Sequence, residues 1–260
     1  MFLQELQLYN YWLSLLFEEG CYMNYNYKEG KLRVEQILRL NSEIEEVAVI
    51  PKTKDEWTHK NGIKSWVAAI VVNLRDSNKL INIEDEIQVA KTIKAYTSEI
   101  IEILSGSELL FEKGIRGDTV YGLFNATSDE EANEVLDIAE WTNTYMKMLN
   151  ELLEQNGYQK VNAGIGVSMS KDLIIRTPKD HEKIVVGRAF FDADHLSKLT
   201  SRFGHLTCEQ PIALTKSFYD KISSRNDKGG LYHKYYGIDI YVGDVINKEY
   251  YNWIDKHTKL

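Results

Sequence analysis

Several absences bound what this chain can be. It has three prolines in 260 residues, so no proline-rich linker divides it. It has two cysteines, Cys21 and Cys208, in no metal-ligand spacing, which leaves isolated thiols and removes a disulfide framework or a zinc site. No apolar run approaches the roughly 18–20 residues of a membrane helix. The opening Met1-Phe2-Leu3-Gln4-Glu5-Leu6 lacks the positive start of a signal peptide. The expectation is a cytoplasmic protein with no membrane contact. Positive charge is also short: the net charge is −8, which argues against a broad nucleic-acid surface. A polyanionic small ligand would need bound metal or a local basic cluster.

What remains is an ordinary globular balance, 43% hydrophobic and 27% charged. Phe2, Leu6, Tyr9, Leu13 and Leu16 form one stripe at helical spacing, and Val34 to Leu40 reads as a second short helix. Pro51 to Gly62 reads as a loop. Ser65 to Leu74 is a nearly continuous apolar run, as in a strand buried on both faces. Glu84 to Leu104 is helical by its Ile93, Tyr96, Ile100 and Leu104 spacing. Glu108–Gly114 and Thr119–Asn125 read as strands joined by a tight Arg116-Gly117-Asp118 turn. Ser128 followed by Glu131 is a capping-box signature that starts a helix running to about Asn156. Val161 to Ser168 alternates apolar residues with small ones, and its glycines would let a ligand or another backbone come close. A short strand at Ile184–Val186, helices at Ala189–Phe203 and Thr215–Ile222, and a hairpin over Leu231–Val242 complete the chain. The strand–helix–strand–strand–helix–strand order predicts an α+β, ferredoxin-like split βαβ sandwich with helices on one sheet face and a helical N-terminal extension.

The chemistry concentrates where strands meet turns. Asn73 ends the first long strand in Val71-Val72-Asn73-Leu74-Arg75-Asp76-Ser77, and Asp118 sits in Gly114-Ile115-Arg116-Gly117-Asp118-Thr119-Val120. Acidic or amide oxygens on neighbouring strands can hold divalent ions beside a triphosphate, because Mg²⁺ and Mn²⁺ prefer oxygen ligands. The turn from Arg75 to Asn78 can offer backbone N–H groups to phosphates. At Asn73 an amide keeps the shape of a carboxylate but loses its charge and presents an N–H₂ group that a cation repels.

Together with Gly164-Ile165-Gly166-Val167-Ser168, these segments resemble the three signature motifs of the class III nucleotidyl cyclases, in the same order and over roughly residues 65 to 205. Within that class the chain is most similar to the bacterial Pycsar pyrimidine cyclases. The resemblance implies an N-terminal extension over 1–62 and a cyclase domain over 63–260. It implies UTP or CTP as substrate, a cyclic pyrimidine mononucleotide and pyrophosphate as products, and a role as second messenger in antiphage defence through a separate effector protein. It further implies a head-to-tail homodimer with active sites at the subunit interface, and a pair of Mn²⁺ or Mg²⁺ ions at each.

Carried over residue by residue, Asn73, Leu74 and Asp118 stand at metal positions and Asn73 and Asp118 at catalytic ones; Arg188, one of the basic residues nearest the motifs, is a further catalytic candidate. Leu74, Arg75, Asp76, Ser77, Asn78 and Arg116 line the nucleotide. Asn73 occupies the first metal aspartate's place. Three readings stand: an inactivating Asp→Asn change, a natural non-catalytic relative, or Asp76 supplying the missing carboxylate. Phe191 and His195 replace the family's transition-state asparagine and arginine, and Lys198 or Arg202 could substitute. Lys113 lies one position from the base-recognition lysine. Gly114 and Ile184 occupy the positions of the lysine and aspartate that read adenine elsewhere. The tyrosines near the C-terminus (Tyr232, Tyr235, Tyr236, Tyr241, Tyr250, Tyr251) read as packing residues before a base-stacking surface.

Overall fold

The computed structural model describes residues 25–51, 60–75, 77, 80, 85–177, 182–201, 209–222 and 230–258. The stripe from Phe2 to Leu16, both cysteines, Asp76, Asn78, Arg202 and most of the loop after Pro51 lie outside the described residues.

The chain divides into two compact units, up to Asn41 and from Ser42 onward. In the first, helix α1 spans Tyr27–Leu38. It begins earlier than Val34 because the Asn26 side chain accepts from the N–H groups of Lys28 and Glu29, an N-cap.

The second unit is built on β2 (Gly62–Arg75), in which Val67 to Val72 are fully buried. It is followed by α2 (Glu86–Ser105), β3 (Leu110–Arg116), β4 (Thr119–Asn125), α3 (Asp129–Gln155) and β5 (Asn162–Arg176). The sheet path runs β3-β4-β2-β5, so the first and third strands of the motif (β2 and β4) lie between the other two, and every neighbouring pair is antiparallel. That is the ferredoxin-like split βαβ order the sequence predicts. A short β1 (Ile44–Glu46) lies parallel against Gly62–Lys64, which brings part of the stretch assigned to the extension into this sheet.

Beyond β5 the chain adds β6 (Lys183–Val186), α4 (Arg188–Ser201), β7 (Ile212–Thr215), α5 (Lys216–Lys221), β8 (Tyr232–Tyr235), β9 (Asp239–Gly243) and α6 (Lys248–His257). The sheet continues β5-β7-β9-β8, with β6 on the far half of β5.

Residue parity along β2 sorts the layers. Ala68, Ile70, Val72 and Leu74 pack with Tyr96, Ile100 and Leu104 of α2 and Val135, Leu136 and Ala139 of α3. Val67, Ala69 and Val71 pack with Ala189 and Ala193 of α4. The expectation of helices on one face is corrected: α4 covers the other. The small-residue strand makes this possible. A Cβ at Gly166 would stand 1.9 Å from the Ala193 carbonyl oxygen and 2.6 Å from the Ser197 nitrogen. The close-approaching backbone is that of α4.

The strand β5 runs to Arg176 although its alternation breaks at Lys171-Asp172. Asp172 is buried there because its carboxylate accepts from the N–H groups of Arg188 (3.1 Å) and Ala189 (3.2 Å), capping α4. The α3 capping box is formed: Glu131 N–H donates to Ser128 Oγ, and Glu131 Oε2 accepts from the N–H groups of Thr127 and Ser128. Of the C-terminal tyrosines, Tyr241 stacks on Tyr219 and Tyr250 lies against Trp141.

Candidate active site

Asn73 shares its parity with Val67, Ala69 and Val71, so its side chain faces α4 and is 5% exposed. Across the ladders it pairs with Thr119 on β4 and Gly164 on β5. The Thr119 hydroxyl donates to Asn73 Oδ1. Asn73 Nδ2 donates to Ser197 Oγ on α4 at 2.5 Å, and Ser197 Oγ donates to the Asp194 carbonyl at 2.7 Å. The amide therefore bridges β4 and α4 with both polar atoms engaged.

Asp118 immediately precedes Thr119, in a hairpin that turns at Gly117 with φ 65°. That left-handed conformation suits glycine. The ladder thus brings Asn73 and Asp118 within one residue of each other, as the motifs anticipate. Asp118 is half-buried, and its charge reaches Tyr96. The Tyr96 hydroxyl is held well above its ordinary pKa by burial first and by the Asp118 carboxylate second, and it donates to the Val72 carbonyl at 3.1 Å. A neutral phenol therefore supports the end of β2.

The other candidates are more dispersed. Leu74 has its side chain in the core, leaving only its backbone for a ligand. Arg75 Nη2 donates to the Gln210 carbonyl at 2.9 Å, which ties the strand end to the segment before β7. Ser77 is half-exposed, and Arg116 is exposed opposite Thr119. Arg188, at the start of α4, is exposed and pairs with Asp192 at 3.2 Å. It precedes Ser197 by nine residues, or about 13 Å along a helix axis, so this chain's own Arg188 is not at the Asn73 end of α4. Phe191 and His195 lie exposed on α4, and Lys198 pairs with Asp194 at 2.5 Å. Lys113 donates to Ser105 Oγ at the end of α2.

A cluster that the sequence reading missed lies on the same face. Tyr121 is two residues from Thr119 on β4 and pairs with Gly114. Its ring lies across that glycine, where a Cβ would come within 2.6 Å, and hydrogen-bonds Glu112. Phe190 meets Tyr121 edge-on at 5.1 Å. Burial raises the Glu112 carboxyl above its ordinary range, against the opposing charge of Lys183. Burial likewise lowers the Lys183 ammonium, with Arg176 adding to it. Glu112 Oε2 is buried with no hydrogen-bond partner among the described residues. A charged residue inside β3 gives no sign of this in sequence.

A pair of shared divalent ions calls for two carboxylates. The described residues supply one, Asp118. The Asn73 oxygen accepts one hydrogen bond and carries no charge to share between two ions, and its N–H₂ group cannot ligate. Among the described residues no group of three or more His, Cys, Asp or Glu could hold a metal ion. As described, these residues do not fit a two-ion platform. Two grooves between α2 and α3, of 620 and 470 Å³, lie on the opposite layer, the first lined by Tyr145, Met148 and Leu152 and the second by Glu102, Glu134 and Trp141. No described helix is long and apolar enough to cross a membrane.

Comparison with known proteins agrees with this architecture. No family model matches the chain. A uridylate cyclase of Treponema porcinum is 34% identical over 90% of this chain and 82% of its own length. A uridylate cyclase of Gulbenkiania mobilis is 27% identical over 60% of this chain and 63% of its own. In structure, the adenylyl cyclase CyaB of P. aeruginosa superposes with a TM-score of 0.58 at 13% identity, over 72% of this chain and 97% of its own, a likeness of fold. The chain, with its β3-β4-β2-β5 sheet, belongs to the uridylate cyclase family of class III nucleotide cyclases.

Proposed function

We propose that this protein converts UTP to 3′,5′-cyclic UMP and pyrophosphate. The observation that carries the reading is the 34% identity over 90% of the chain to a protein named uridylate cyclase. In the reaction the ribose 3′-oxygen attacks the α-phosphorus in line, its proton leaves to solvent or base, and the bond to the bridging oxygen of pyrophosphate breaks. Backbone N–H groups at the end of β2 bind phosphates, and Arg116 and Arg188 supply positive charge to the oxygens on which charge develops. Asp118 is the described carboxylate that would hold a Mg²⁺ or Mn²⁺ ion, which would offset the charge of the triphosphate. The active unit is a homodimer with sites at the interface. Its product is a messenger for a separate effector in antiphage defence, a role supported by the resemblance of the first motif, the single catalytic domain and the N-terminal extension to the Pycsar group.

The buried amide favours a second reading, a cyclase-like domain that binds nucleotide without turning it over. Incubation with each nucleoside triphosphate and Mn²⁺, followed by mass spectrometry, separates the two and distinguishes UTP from CTP. The same assay on Asn73→Asp is expected to show cyclic UMP formed faster than by the native chain. If that variant makes no cyclic product from any nucleotide, the cyclase reading of this chain fails.

A further inference from the structure

The hydrogen-bond chain through Asn73 has a direction. Thr119 donates to the amide oxygen, the amide nitrogen donates to Ser197 Oγ, and Ser197 spends its one hydrogen on the Asp194 carbonyl. Ser197 therefore presents only lone pairs toward position 73. An amide satisfies them, whereas a carboxylate would face them without a proton to offer. Ser197 is itself fully buried, so a lost partner there is not replaced by bulk water.

The space is equally restrictive. α4 is pressed on the sheet at this point, because only the missing side chain of Gly166 lets the Ala193 oxygen and Ser197 nitrogen come so near. Asn73 Nδ2 and Ser197 Oγ are 2.5 Å apart. Mg²⁺ needs about 2.0–2.1 Å to each of six oxygens, so no such ion fits on the side of the amide turned to α4.

We infer that Asn73 anchors α4 to the sheet through Ser197 and Thr119 instead of ligating a cation, so that this site takes a single divalent ion with its nucleotide. Ser197 is a positioning residue: it fixes the register of the helix that carries Arg188. The cation count rests on the proposed nucleotide site, whereas the anchoring does not.

Two measurements test it. The first is a double-mutant cycle on thermal unfolding, with neither metal nor nucleotide, using Asn73→Asp, Ser197→Ala and the pair. Each single change is expected to lower Tm by roughly 5 °C, since each strands a buried polar group. The pair should cost clearly less than the sum. Additive losses, or no loss from Ser197→Ala, overturn the anchor and leave the cyclase reading untouched. The second is a Mn²⁺ count by electron paramagnetic resonance with UTP bound. About one ion per chain is expected for the native protein, and about two for Asn73→Asp, in which α4 can lift from a carboxylate. Two ions on the native chain overturn the inference. Cyclic product from Asn73→Asp with the native cycle additive would sink the anchor alone.

Discussion

Asp118 carries the charge that Asn73 lacks, half-buried in the hairpin turn between β3 and β4. Asp118→Ala should change stability by about 1 kcal/mol or less, yet abolish Mn²⁺-dependent UTP binding measured by calorimetry. Native-like affinity in that variant would remove Asp118 from the site. Glu112 makes the opposite case. Its carboxyl is raised by burial, so its favourable contribution to folding is present below the ordinary carboxylate range and is lost as pH rises through the folded value. Above it the chain carries a poorly solvated charge. Glu112→Gln should raise Tm at pH 8, and the gain should vanish by pH 4, where both side chains are neutral. An equal shift at both pH values would locate the effect elsewhere. Asn73 and Asp118 were legible in sequence because strand ends and turns announce themselves by local residue type. Glu112 was not, because its burial depends on Tyr121 lying across Gly114 and on Lys183 arriving from β6.

Among the elements, α4 depends most on single residues. Its N-terminus is held by Asp172, whose two carboxylate oxygens accept from Arg188 and Ala189 inside the protein. Removing that cap in Asp172→Ala should cost about 2 kcal/mol, the upper range for an N-cap, read as a lower urea midpoint. Gly166→Ala should cost more, about 3 kcal/mol or beyond, because its new Cβ meets helix backbone that no side-chain rotation can move. Should Gly166→Ala prove neutral, α4 does not sit as close to β5 as described. The sequence announced the small-residue strand and its close neighbour but not the neighbour's identity, since glycine spacing says only that something approaches. It also understated β5, because Asp172 breaks the alternation to serve another element. Helix α6 was missed although Asn247 caps it by accepting from Tyr250 N–H and Tyr250 and Ile254 share one face. Its short length left the tyrosines to dominate the reading.

At the scale of the whole molecule, the fold was legible because alternation, capping and turn signals agree along the central βαββαβ segment. What the sequence could not fix is which groups meet across a dimer. The geometry of α4 makes the question sharp: Arg188 begins the helix, exposed, while Ser197, bonded to Asn73, lies about 13 Å further along the same helix axis. In the head-to-tail dimer proposed above, the partner's copy of this arginine would supply the charge. Asp118→Ala and Arg188→Ala should then each be nearly inactive alone and complement one another when mixed. With random exchange about half of the dimers are mixed, and each has one intact site of two, so activity should recover to about a quarter of the unsubstituted level. The assay is run on whichever background, native or Asn73→Asp, turns over faster, at concentrations that allow subunit exchange. A mixture no more active than its components would place Arg188 and Asp118 in the same chain's site, and the interface reading of this protein would fall with it.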